Sequence, residues 1–106
     1  MTTCGTTMDQ IRLDRYVVDT LMPDLVGHDK RPSALLVYLY LWSQSVEPRS
    51  RKTTASLRDI ADGTGLSKRG VQEALRVLER RKLVSRTKPE PTSVAAYEVL
   101  RPWRKR

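Results

Sequence analysis

The chain has 106 residues, with 20 Lys and Arg, 12 Asp and Glu and one His, for a net charge of +8 and a pI near 10.2. That length allows one domain and leaves no room for separate catalytic and ligand-sensing domains, while 39% apolar residues supply a core and exclude a disordered polycation. The longest apolar run, Ala34 to Trp42, reaches about half the roughly 18 to 20 residues that cross a bilayer, and Cys4 as the single cysteine excludes an internal disulfide.

Residues 1–8 are small and polar and read as a frayed terminus. No basic region followed by an apolar run marks a secretory signal, so a cytoplasmic protein is expected. From Asp9 to Leu25 the apolar residues recur at mixed spacing. Tyr16, Val17, Leu21 and Leu25 fit a helical face, with Pro23 as an interruption. Gly27 to Pro32 is a polar connection, and Ser33 is placed as the N-cap of a helix from Ala34 to about Ser45. The apolar run inside it is continuous, which periodicity alone would also allow as a buried strand. Length and leucine content predict a helix enclosed on most sides. Val46 to Thr54 reads as a basic loop.

The pattern sharpens at Ser56-Leu57-Arg58-Asp59, which has the form of a capping box with Asp in place of Glu or Gln. Leu57, Ile60 and Ala61 make one helical face, and Gly65 suits the left-handed position after the helix. Ser67 caps a second helix of about four turns. Val71, Ala74, Leu75 and Leu78 turn one stripe toward a core, and Lys68, Arg69, Gln72, Glu73, Arg76, Glu79 and Arg80 occupy the other side. Leu83 to Thr87 and Val94 to Leu100 read as the strands of a hairpin around a Pro-containing turn, followed by a basic tail, 101–106. Two glycines break the helical pattern. Gly63 falls in or at the end of the first helix and Gly70 in the first turn of the second, each at a cost of roughly 1 kcal/mol in a helix interior. Close approach of a backbone is one reason to keep Gly70.

Charge is unevenly placed. Residues 1–55 carry 7 basic and 6 acidic side chains, and residues 56–106 carry 13 and 6. A basic half on a foldable domain is the footprint expected for a polyanion, because Lys and Arg displace the counterions condensed on phosphates.

Helix, tight turn, amphipathic helix with a basic face, then a hairpin: Ser56 to Leu100 resembles a bacterial winged helix-turn-helix domain of the broad MarR-like and GntR-like regulator group. The resemblance rests on Ala61, Gly65, Leu66, Val71 and Leu75, and on the passage Leu75-Arg76-Val77-Leu78-Glu79-Arg80-Arg81-Lys82-Leu83-Val84. It implies a mainly α fold with a small β-hairpin (α+β), organised as one domain over 9–100. The helix-turn-helix would occupy 56–82 and the wing 83–100. It also implies that the Ser67–Lys82 helix enters a DNA major groove.

Side-chain chemistry then suggests roles. Arg69 and Arg76 can fork to guanine O6 and N7, Gln72 can pair with adenine, and Glu73 is a further candidate for base contact. Ser67, Lys68, Arg58 and Arg80 are candidates for the phosphate backbone, as are Arg86 and Lys88 on the wing. The Arg49, Arg51 and Lys52 loop adds further phosphate candidates. The plainer alternatives are a solvated helix face, with Glu73 and Glu79 pairing Arg69, Arg76 or Arg80 at helical spacing. Tyr38, Tyr40 and Trp42 are expected in the core, whereas Trp103 is open to the core or to a partner.

Catalytic motifs are missing. Gly65 and Gly70 have Walker A glycine spacing, but Val71-Gln72 follows where Lys-Ser/Thr is required. His28 lies in a polar connection. The expectation is a non-enzymatic, cofactor-free, homodimeric reader of double-stranded DNA. A plasmid or phage replication or partition protein, and a winged module for protein–protein contact, are the competing readings.

Overall fold

Helical segments and three short strands follow one another along the residues that the computed structural model describes, 12–44, 52–87, 95–101 and 103. The expectations for residues 1–8, Arg49, Arg51, Lys88 and 104–106 lie outside those residues.

The first turns are wound wider than an α-helix. Val17–Leu21 and Pro23–His28 form two π-helical stretches, with hydrogen bonds such as Asp29 N–H to Asp24 C=O (2.9 Å) spanning five residues. Pro23 does not interrupt them. It takes the first position of the second stretch, where a missing N–H leaves nothing unpaired. Val17, Leu21 and Leu25, spaced by four, all face the core. Lys30 then adopts a left-handed φ of 56° and Arg31 N–H closes on Leu25 C=O at 2.7 Å.

Helix α1 spans Pro32–Gln44. It begins one residue before the expected Ser33 cap, because Pro32 has a φ already suited to the first helical position and no N–H to satisfy. Ala34, Leu35, Val37, Tyr38, Leu41 and Trp42 are buried, so the helix is enclosed on most sides as its composition predicts.

The basic loop expected at Val46–Thr54 ends instead in a strand, β1 (Lys52–Thr54). Three residues are too short for an alternating pattern to show, and only the partner strand from the far end of the chain stabilises them. Helix α2 (Leu57–Thr64) opens on the capping box: Asp59 N–H donates to Ser56 Oγ (3.0 Å) and Ser56 N–H to Asp59 Oδ2 (3.1 Å). It ends at Gly65, whose φ of +82° is costly for any residue with a Cβ. Gly63 sits inside α2 because the Tyr40 ring of α1 occupies the space a Cβ would need, 2.2 Å from Cε1.

Helix α3 (Lys68–Arg80) starts on the Ser67 cap, with Gly70 N–H donating to Ser67 Oγ at 3.0 Å. A Cβ on Gly70 would meet nothing nearer than Ser67 Oγ at 3.4 Å, so no backbone approaches it and the helix begins plainly at Lys68. At the other end Lys82 stands at φ 60°, its N–H bonded to Glu79 C=O (3.1 Å) and Leu83 N–H to Leu78 C=O (2.9 Å). This is the Schellman arrangement, with lysine where glycine is usual and buried Leu78 and Leu83 flanking it.

Strands β2 (Val84–Thr87) and β3 (Ala96–Val99) pair antiparallel, Arg86 opposite Tyr97, and β1 adds to the other edge of β3 with Thr53 opposite Tyr97. The sheet order β1-β3-β2 therefore extends the expected hairpin by a third strand. Tyr97 and Val99 point from it into the core, where β3 packs against α1 and β2 against α3. Polar tips of the core aromatics are satisfied: Tyr38 Oη donates to Leu100 C=O (2.9 Å) and Trp42 Nε1 to Arg12 C=O (2.7 Å). Trp103 is a core-edge residue. It stacks on Tyr16 with centroids 4.5 Å apart and donates Nε1–H to Asp14 Oδ2 at 2.8 Å. The guanidinium of Arg101 lies 4.2 Å over the Trp42 ring. Both ends of the described chain are thereby held against α1. Helix, strand, two helices and two strands, closed by a small antiparallel sheet, make a winged-helix α+β fold.

Candidate nucleic-acid interface

The face of α3 follows from its sequence period. Val71, Ala74, Leu75, Val77 and Leu78 are buried against α1 and α2. Arg69, Gln72, Arg76 and Arg80 recur at steps of three and four, with Glu73 next to Gln72, so they stand on the opposite side. From Arg69 to Arg80 this stripe runs about 16 Å along the helix axis at roughly 1.5 Å per residue. Arg69, Gln72, Arg76 and Arg80 are all exposed, and Arg69 has 87% of its side-chain surface free. Lys68 is exposed at the first helical position. Ser67 is exposed too, but its Oγ is already committed as the acceptor that caps the helix. Arg58 is exposed in the first turn of α2, on a separate element from the stripe.

Acidic residues divide this face. Glu73 is only 38% exposed and lies between two guanidinium groups. Its Oε2 is 3.6 Å from Arg69 Nε, and its Oε1 is 3.9 Å from Arg31 Nη1. The Arg69 pair is the expected i,i+4 contact. Arg31 comes from the connection before α1, which reads in sequence as merely polar, and no local signal in that segment points to the contact. Glu79 does not pair Arg76 or Arg80. It lies 3.6 Å from Arg86 Nε on β2. Arg76, Arg80 and Lys68 form no ion pair with any described residue.

Arg86, a phosphate candidate on the wing, has its guanidinium turned back toward α3. It pairs with Glu79 and stands beside Tyr97, its cross-strand neighbour. Burial pushes the Tyr97 phenol above the ordinary tyrosine value, and Arg86 acts the other way. Arg81 has a structural task. Its Nη2 lies 2.9 Å from Asp24 Oδ2 and its Nε 3.3 Å from Asp29 Oδ2, so it fastens the end of α3 to the π-helical segment. Asp29 also accepts from His28 Nδ1 at 3.1 Å, which gives His28 a local partner.

The arrangement presents one exposed helix face, with Arg58 exposed on the neighbouring helix α2. Lys68, Gln72, Arg76 and Arg80 are the exposed residues of α3 that no acidic side chain among the described residues engages. Among the described residues no helix is long and apolar enough to cross a membrane, and no group of three His, Cys, Asp or Glu side chains is placed to hold a metal ion. Neither a curated protein nor a solved structure matches the chain. A family model described as "Helix-turn-helix domain" matches residues 28–84, from the end of the π-helical segment through α1, β1, α2 and α3 to the first residue of β2. That match takes in more than half of the chain and every residue of the α3 stripe, and it suggests DNA binding; the chain belongs to this helix-turn-helix domain family.

Proposed function

We propose that the protein is a small bacterial transcriptional regulator that reads a short duplex DNA site and acts by occupying it, without chemistry of its own. The observation that carries this reading is the exposed stripe Arg69, Gln72, Arg76 and Arg80 on α3, in a winged-helix fold of the helix-turn-helix family. Arg69 and Arg76 match the two acceptors on guanine, and Gln72 matches adenine. Lys68, Arg80 and Arg58 would hold phosphates, and Ser67 would contribute mainly by fixing the start of the helix. Arg86 would contact the backbone only after leaving Glu79.

A single helix reads few base pairs, so we propose a homodimer on a two-fold site. Val18, Met22 and Val26 in the π-helical segment and Leu36 on α1 are between 38% and 46% exposed, and they lie in the nearly neutral half of the chain. That half can meet a second copy without the repulsion the basic half would impose. Fluorescence-anisotropy titration against duplex DNA at two salt concentrations tests the reading. Tight binding that weakens steeply with salt is expected. Absence of binding at low salt, or binding indifferent to salt, would refute it.

A further inference from the structure

Glu73 is out of place on a face built for a polyanion. A carboxylate brought into a major groove is repelled by phosphate and loses water, and it is tolerated there only if it accepts a hydrogen bond. Its surroundings orient it. Arg69 Nε approaches one oxygen at 3.6 Å and Arg31 Nη1 the other at 3.9 Å, from two different elements. The origin of Arg31 is itself held. Its N–H is bonded to Leu25 C=O (2.7 Å), its C=O accepts from Ala34 N–H (3.0 Å), and Pro32 follows it. The base edges that carry a donor in the major groove are cytosine N4 and adenine N6, whereas guanine O6 and N7 and thymine O4 would face the carboxylate acceptor to acceptor.

We propose, resting on the DNA-reading function above, that Glu73 is a specificity-determining residue. It demands a base presenting an amino group, cytosine first, beside the base met by Arg69. Arg31 is the positioning residue that holds the carboxylate at the required height and neutralises it against the phosphates. The helix-turn-helix thus reads DNA with help from a residue on the connection preceding α1. Glu73 lowers affinity for every site and lowers it least for the correct one, so selectivity is obtained by rejection.

The test is selection from a random duplex library with the full chain, for the native protein and for Glu73→Gln, Arg31→Ala and Arg31→Lys, followed by anisotropy titrations on the enriched site and its single-base variants. Native protein is expected to enrich one position for cytosine or adenine and to discriminate there by about tenfold or more, the lower range of a good base contact. Glu73→Gln is expected to reduce that ratio to about threefold or less while binding unrelated DNA more tightly. Arg31→Ala is expected to relax the same position and Arg31→Lys to restore it. Melting temperatures close to native are expected throughout, since both side chains are partly exposed. An unchanged base preference in Glu73→Gln overturns the inference alone. So does Arg31→Ala weakening all sequences equally with a salt slope smaller by about one, the mark of a simple phosphate contact. A native library with no enriched motif removes sequence reading itself, and this inference with it.

Discussion

The same substitution at two helical glycines should have opposite effects. Replacing glycine by alanine inside a helix gains about 0.5–1 kcal/mol from lower chain entropy in the unfolded state and better helix propensity. At Gly70 nothing opposes that gain. The new Cβ would make ordinary contact at 3.4 Å with Ser67 Oγ and 3.8 Å with Leu66 Cβ. At Gly63 the new Cβ would stand 2.2 Å from Tyr40 Cε1. Ordinary carbon contacts are about 3.5–4.0 Å, so the ring must retreat by more than about 1 Å. Overpacking of this kind costs about 1–3 kcal/mol, which exceeds the propensity gain and leaves a net loss of about 1 kcal/mol. In a domain of this size 1 kcal/mol moves Tm by about 4–8 °C. Thermal and denaturant unfolding of Gly63→Ala, Gly70→Ala and Gly63→Ala/Tyr40→Ala should therefore place Gly70→Ala above the native protein and Gly63→Ala below it. The double variant should lie closer to Tyr40→Ala alone than additivity predicts. A destabilised Gly70→Ala, or a Gly63→Ala more stable than native, would refute the account of both helices.

Arg76→Ala is expected to cost about 1–3 kcal/mol of binding on the preferred site and little on unrelated DNA, while Arg58→Ala weakens all sequences alike; paired titrations on specific and random duplexes separate the two. Lys82→Gly should raise stability by about 0.5–1 kcal/mol in denaturant unfolding, because the left-handed φ of 60° at the end of α3 costs lysine what it does not cost glycine. Tyr97 holds its proton more tightly in the fold than in the unfolded chain. Its contribution is therefore fully present below the ordinary tyrosine value near pH 10 and is lost as pH rises through the higher folded value. Denaturant titrations at pH 8 and above pH 10 should show a smaller loss for Tyr97→Phe than for the native protein.

Where backbone groups are satisfied by side chains a few residues away, the structure was legible in the sequence. Ser56 with Asp59, Gly65, and Ser67 with Gly70 N–H each settle a helix end by local hydrogen bonding or local sterics, and all three appear as read. The burial of Val71, Ala74, Leu75 and Leu78 follows from helical period alone. The side of α3 that carries Arg69, Gln72, Arg76 and Arg80 follows from the same period. Local rules failed where two chemistries competed for one residue. Pro32 displaced Ser33 at the start of α1, and Pro23 continued a π-helical winding instead of ending it.

By itself, then, the sequence determined both ends of α2 and the start of α3, the buried stripe of α3, the basic character of its other face and the uneven distribution of charge. These depend on contacts within about one helical turn, and such contacts are visible as spacing. Tertiary structure alone decided the rest. It recruited β1 to the sheet, made Gly63 the seat of the Tyr40 ring and turned Arg86 back onto Glu79. It fastened Arg81 to Asp24 and Asp29, and brought Arg31 to Glu73 across 41 intervening positions. All of those pairings but Arg86 with Glu79 join residues far apart in the chain, and that one crosses from a helix to a strand. Nothing in either local segment distinguishes the chosen partner from any other residue of the same type, until packing of the core places the two side by side.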